Sequence, residues 1–283
     1  MAWRTAKIAG MALLVAALAY VPAASAQIAV PEAGKSKKVD DIKKRGVLRA
    51  AAIGEFPWLP ENTSGSGPKF SGPAWLLANA IADRLGVKLE IVPVSHETKV
   101  PILASGQADI TIAPLTITPA REKVVDFVPY SASSLCFFGL ASNPKLQSAK
   151  SVDDLDSAEV TMAYFTGTPP ETWAPTRFKK IKYRAVAGSG ANAPVEEIMS
   201  KRADIAPIDN VAWPNLEASV KGLIAFPKGD GCLKSPEMEA RTAMAIDKGD
   251  PAFLAWLTAV KDELKPKLDA EELRILKSVK PAT

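Results

Sequence analysis

Asp109-Ile110-Thr111-Ile112-Ala113-Pro114-Leu115-Thr116-Ile117-Thr118-Pro119-Ala120-Arg121 runs from an apolar strand into two hydroxyls, a proline and a cation. Its first five residues are rich in β-branched side chains, which predicts a short buried strand. Pro119 suits the first turn of a helix, where a missing N–H costs nothing, and Arg121 falls just inside that helix. A strand that ends in hydroxyls and opens a helix beside an arginine brings free backbone N–H groups, O–H donors and a guanidinium fork to one point. That is chemistry for holding a carboxylate.

Upstream of this stretch, strands and helices alternate. Residues 47–53 read as a strand, and 54–69 as a loop rich in Pro, Gly, Asn and Ser that carries Glu55, Phe56 and Trp58. Residues 75–85 read as a helix with Leu77, Ile81 and Leu85 on one face and Gly86 as its stop. A strand at 87–92 and a helix at 99–105 complete the approach. The pattern predicts an α/β fold with a parallel sheet, whose ligands sit off the carboxyl ends of the strands.

Downstream the pattern restarts. After strands at 124–130 and 135–141 come a strand at 159–163, the turn Gly167-Thr168-Pro169-Pro170-Glu171 into a helix, a strand at 183–186, a helix at 191–200 and a strand ending at Asp209. Ala108-Asp109-Ile110 and Ala203-Asp204-Ile205 echo each other, one leading to Arg121 and the other to Asp209. The two halves thus end at groups of opposite charge. A strand at 242–246 is followed by Asp250-Pro251, an N-cap with Pro at N1, and a docking helix. Asp269 with Glu272 three positions later predicts a capping box for a separate final helix.

Arg4 and Lys7, an apolar run at 8–21 and Ala24-Ser25-Ala26 predict a cleavable export leader over residues 1–26, with no Cys near the cleavage point for a lipid anchor. Residues 27–38 are small, polar and Lys-rich, which predicts a disordered lead. With 35 basic and 31 acidic residues, the charge is too balanced for the basic stripe of a nucleic-acid binder. The single histidine, His96, rules out a multi-histidine metal site, and a loop or surface position is expected for it. Cys136 and Cys232 are the only cysteines, and in an oxidising compartment they either bridge or remain two buried thiols.

Several runs together resemble bacterial extracellular solute-binding proteins of family 3, the amino-acid-binding periplasmic components of ABC importers. They are Ser105-Gly106-Gln107-Ala108-Asp109-Ile110, Thr116-Ile117-Thr118-Pro119-Ala120-Arg121, Val125-Asp126-Phe127 and Pro129-Tyr130, with Gly167-Thr168 and Lys248-Gly249-Asp250-Pro251 further on. The resemblance implies an α/β clamshell of the periplasmic-binding-protein type II, each lobe a mostly parallel sheet flanked by helices. Lobe one would take 39–134 plus 242–283, and lobe two 135–241. It further implies a monomer in the periplasm with no cofactor and no catalysis, capturing an amino acid or other small carboxylate for a permease in the inner membrane.

Carried over by position, Arg121 would clasp the ligand carboxylate, Thr116 and Thr168 would donate hydroxyls, and Asp209 would accept the α-ammonium group. Read without the resemblance, Arg121 could be a solvated helix residue and Asp209 a helix N-cap. Phe56 and Trp58 would line the cleft or pack the loop. This chain has Pro114 where a glycine or serine is usual, Glu55 where an aromatic residue often stacks on the ligand, and Pro169 after Thr168. Some relatives on the scaffold are exported cyclohexadienyl dehydratases with an acid close after the Gly-Thr turn. Glu171 makes that the alternative reading, and delivery to a sensor or another periplasmic protein is a third.

Overall fold

The computed structural model describes residues 28–188 and 193–278, so the expected leader at 1–26 lies outside the described residues. The first sheet joins β1 (Val47–Ala52), β2 (Lys88–Pro93), β3 (Ile110–Thr116), β4 (Val125–Ser133) and the late β10 (Ala240–Asp247) in the order β2-β1-β3-β10-β4. The second joins β5 (Leu135–Leu140), β6 (Thr161–Phe165), β7 (Lys182–Val186), β8 (Ile205–Asp209) and β9 (Leu223–Phe226) in the order β7-β6-β8-β5-β9. Each sheet is mixed. Its first three strands are parallel, the fourth, arriving from the other half of the chain, runs against them, and the fifth pairs antiparallel with the fourth and so runs with the first three.

The repeated Ala-Asp-Ile has the same structural job in both sheets. Asp109 Oδ2 accepts the Arg49 N–H at 2.9 Å while the Asp109 N–H donates to Arg49 O at 2.9 Å. Asp204 Oδ2 accepts the Thr161 N–H at 2.8 Å while its own N–H donates to Thr161 O at 2.8 Å. Asp109 pins β3 to β1 and Asp204 pins β8 to β6, and each is neutralised by basic side chains: Arg45 and Arg49 on Asp109, Lys145 on Asp204.

The flanking helices are α1 (Lys37–Arg45), α2 (Pro73–Leu85), α3 (Pro101–Ala104), α4 (Pro119–Glu122), α5 (Pro169–Arg177), α6 (Ala193–Met199), α7 (Trp213–Ser219) and α8 (Pro251–Ser278). The chain leaves the first sheet at Ser134 and returns ahead of Ala240. The two crossings are tied together, since the Leu135 N–H donates to Glu237 O at 2.7 Å and Asn210 brackets Ser134 from both sides. Cys136 and Cys232 form a disulfide that fixes β5 to the segment Gly229–Lys234 just before the return crossing.

Two expectations fail here for identifiable reasons. Residues 28–38 are not a disordered lead: Ile28 and Val30 pack against the first lobe's core, and α1 begins at Lys37 with Ser36 as its N-cap. Asp250 at the head of α8 accepts both the Ser36 hydroxyl and the Lys38 N–H, so capping bonds that no local pattern shows hold the lead in place. Nor does a new helix start at Asp269. Helix α8 runs unbroken through Pro266, which faces solvent between the buried Leu264 and Leu268, so water can serve the carbonyl that proline leaves unpaired. Glu272 does not close a capping box; it accepts the Ser131 hydroxyl of β4 at 2.9 Å.

Candidate functional site

The carboxyl ends of β3 and β8 face each other across the two lobes and border a cavity of 510 Å³, within the size range of small-molecule sites. Local sequence builds the first-lobe wall much as the opening stretch implies. Thr118 caps α4 by accepting the Arg121 N–H, Pro119 is its first residue, and the short helix presents Arg121 to the cavity. The guanidinium donates to Thr116 O at 2.8 Å and, across the cleft, to Gly167 O at 2.9 Å. Two N–H groups of the fork are thereby used and three remain. Burial pulls its pKa down to about 10, opposed by Glu55.

Asp209 ends β8 on the other wall. It makes no N-capping bond through its side chain; instead Oδ1 accepts the Ser133 hydroxyl of the crossing strand at 2.6 Å. Burial raises its pKa, and the Ser133 hydrogen bond opposes the rise. Arg121 and Asp209 thus come from different lobes to one cleft.

The remaining expected residues divide. Thr116 lines the cavity, and so does Thr168, but the Thr168 hydroxyl donates to Phe165 O at 2.6 Å, leaving its oxygen to accept and not to donate. Phe56 lines the cavity and packs against an apolar cluster of the second lobe. Trp58 borders the cavity as a core residue, 1% exposed, with its indole N–H donated to Ser131 at 3.0 Å. Glu55 lines the cavity with Oε2 sealed from solvent, and burial pushes its pKa up to about 7 against the pull of Lys99. Glu171 is not on the wall; its carboxylate accepts the Gly167 N–H at 2.9 Å at the start of α5. Among the described residues no cluster of His, Cys, Asp and Glu is placed to hold a metal ion.

Sequence reasoning missed two residues. Lys99 precedes α3, outside the helix expected to begin there, and its Nζ is drawn inward to donate to Pro114 O at 2.6 Å, 3.7 Å from Glu55 Oε2. Pro114 falls where β3 and β10 lose register, so its carbonyl takes a side-chain donor in place of a ladder bond, and no local pattern signals that. His96 is not a surface residue. It is 6% exposed, lines the cavity and lies against Phe165 of the second lobe with ring centroids 4.2 Å apart. Burial, and next the charge of Lys99, lower its pKa to about 3.

The lobes meet around this histidine. Gly167 has φ +73°, and a Cβ there would stand 2.8 Å from Glu97 Cα and 3.1 Å from His96 O. The Thr166 hydroxyl bonds the Glu97 carboxylate beside it. Gly167→Ala is therefore expected to disfavour closure, since the methyl clashes with Glu97 and His96 only when the lobes meet, and should weaken ligand binding about tenfold or more. Titration calorimetry against the wild type checks this, and unchanged affinity would remove Gly167 from the closing contact.

Opening the cleft would expose His96 to water, which gives closure an expected proton linkage. An exposed imidazole titrates near 6.5, whereas the closed cleft holds His96 neutral down to about 3, so the open form takes up the proton first as pH falls. The His96 contribution to closure is present above pH 6.5 and is lost at about tenfold per pH unit below it. Glu55 acts in the opposite direction between its ordinary 4.5 and about 7, because the closed cavity favours its protonated form. The ratio of wild-type Kd to His96→Phe Kd isolates the histidine and is expected to rise about fivefold between pH 6.5 and 5.5. A ratio flat across that range would contradict the burial of a neutral imidazole on closure.

A two-lobed α/β structure with a cavity between its lobes is the architecture of the periplasmic-binding-protein fold. Residues 57–274 match the bacterial extracellular solute-binding proteins, family 3, and the chain belongs to that family. Among curated proteins it is 30% identical over 173 residues to membrane-bound lytic murein transglycosylase F of Aeromonas hydrophila subsp. hydrophila, covering 60% of this chain and 32% of that protein. It is 29% identical over 136 residues to the L-cystine-binding protein TcyJ of Escherichia coli (strain K12), covering 48% of this chain and 49% of that one. The matched stretches therefore span about a third to a half of those relatives. Among solved structures it is similar to the ancestral amino acid-binding protein AncCDT-1, a precursor of cyclohexadienyl dehydratase, with TM-score 0.69, 28% identity, 85% of this chain and 98% of that one. It is also similar to the arginine-bound form of truncated ArgBP from T. maritima, with TM-score 0.68, 26% identity, 80% of this chain and 99% of that one.

Proposed function

We infer that this protein captures a small carboxylate-bearing ligand, an amino acid or a close derivative, between its lobes in the periplasm and delivers it to an ABC importer. The observation that carries the reading is the convergence of Arg121 and Asp209, from opposite lobes, on one cavity between them. A carboxylate needs a fork of donors and an α-ammonium needs an acceptor-only partner, so an amino-acid zwitterion spans the pair. Bridging both lobes, it favours the closed form, and the closed surface is what a permease would recognise. Family membership and the amino-acid-binding structural relatives support the same reading.

The dehydratase alternative draws on the likeness to AncCDT-1. Glu171, the acid it would require, is committed to the Gly167 N–H and lies off the cavity wall, which supports binding without turnover. Titration with the common L-amino acids and small carboxylates tests the reading, with prephenate incubated in parallel. Saturable binding of an amino acid without phenylpyruvate formation is expected; turnover of prephenate that is lost in Glu171→Gln would replace the binder with the enzyme.

A further inference from the structure

Three polar atoms bordering the cleft are buried and lack a hydrogen-bond partner among the described residues: Glu55 Oε2 and both ring nitrogens of His96. None of them is needed to hold a carboxylate or an α-ammonium group, the tasks assigned to Arg121 and Asp209. Buried polar groups left unmatched are costly, so these three mark where a ligand makes further bonds.

What bonds follow from charge and capacity. Neutral imidazole offers one donor and one acceptor, and a carboxylate oxygen accepts. The same wall holds Lys99, 3% exposed, already donating to Pro114 O at 2.6 Å and standing 3.7 Å from Glu55 Oε2. The cavity is thus lined by the buried cation Lys99, the half-buried cation Arg121 and the half-buried carboxyl groups of Glu55 and Asp209. Glu61 also borders it, but on the open rim, where Lys69 pairs with it at 3.5 Å.

A ligand side chain ending in a cation would add a third positive charge to a closed space that holds Lys99. One ending in an anion would face Glu55 and Asp209. Either leaves a buried charge unmatched, which costs far more than an unmatched dipole. A hydrocarbon end leaves all three polar atoms dry. An uncharged end that carries both N–H or O–H donors and an acceptor satisfies Glu55 and both nitrogens of His96 while preserving the charge balance.

We propose that Glu55 and His96 are specificity-determining residues that select an amino acid with an uncharged hydrogen-bonding side chain, such as a ureido, carboxamide or hydroxyl group, over charged or apolar ones. The proposal rests on the amino-acid reading of the cleft and narrows it. The Pro114 carbonyl, freed by the break in register between β3 and β10, holds Lys99 inward, and Lys99 in turn accompanies a glutamate on the facing loop.

Titration calorimetry of the full-length mature protein with matched probes tests it. L-citrulline and L-arginine share chain length and differ in charge, as do L-glutamine and L-glutamate; L-norleucine supplies the apolar end. The neutral member of each pair is expected to bind about tenfold or more tightly than its charged partner, and L-norleucine about tenfold or more weakly than the better neutral probe. His96→Phe keeps a ring against Phe165 and should cut the margin over L-norleucine to about threefold or less. Should that variant fold poorly, the wild-type series decides alone. L-arginine, L-glutamate or L-norleucine binding as tightly as the neutral probes would overturn the proposal and leave the amino-acid reading standing. Failure of all five probes to bind would overturn both.

Discussion

Arg121→Ala is expected to weaken binding of the native ligand about 100-fold or more, because a carboxylate loses two charge-assisted hydrogen bonds worth roughly 1.5–3 kcal/mol each. The same guanidinium also donates to Thr116 O and Gly167 O, so it closes the cleft as well as holding the ligand. Arg121→Lys separates the two contributions. It keeps the charge and loses the fork, and should recover only part of the affinity. The ligand-free variant should melt within a few degrees of the wild type, since one lost bond joins the lobes, the other ties the side chain to Thr116 O beside it, and neither lies in a core. Retained affinity in Arg121→Ala would remove the residue from the site.

The second large effect is structural. The disulfide between Cys136 and Cys232 closes a loop of 96 residues, for which the chain-entropy account assigns roughly 4–5 kcal/mol and measured losses of native bridges fall near 2–5 kcal/mol. It clips β5, the first strand of the second lobe, to the segment that leads back to the first, and both sulfurs are fully buried. Cys136→Ala with Cys232→Ala is therefore expected to lower the melting temperature by about 5–15 °C, at roughly 2–4 °C per kcal/mol for a protein of this size. Scanning calorimetry of the oxidised, reduced and double-alanine proteins checks it. Equal melting of all three would mean that the bridge adds no stability.

Much of the architecture was legible because it is local. The β-branched run at 110–112 and the apolar run at 135–140 are strands by composition, and Thr118-Pro119 is a helix start by its own chemistry. The Ala-Asp-Ile echo was legible too, and it marks equivalent strand-pinning aspartates. What escaped local reading is decided by distant partners. His96 and Lys99 are polar and follow a loop, and only the approach of the second lobe and the carbonyl of Pro114 make them buried. The lead at 28–38 is ordered by Asp250, more than two hundred residues away, which no window of sequence contains. Asp269 carried a helix-start signal that the packing of Leu268 and Ile275 overrode.

The site divides the same way. Arg121, Thr116 and Asp209 could be placed from motif and strand ends, whereas the direction of each hydrogen bond could not. Thr168 shows the difference: it reaches the cavity, but its proton is spent on Phe165 O.

The central claim is that both charged ends of an α-amino acid are gripped, one by each lobe. Thermal unfolding of the ligand-free protein with each of three forms of its best-binding amino acid tests that most directly: the free zwitterion, its N-acetyl derivative and its α-carboxamide. Ligands that bind only the folded state raise its apparent stability, by about 2.7 kcal/mol at a hundredfold excess over Kd. The zwitterion is expected to raise the melting temperature and neither derivative to do so, because one lacks the cation for Asp209 and the other the anion for Arg121. A derivative that stabilises the protein as well as the free amino acid would contradict the two-lobe grip.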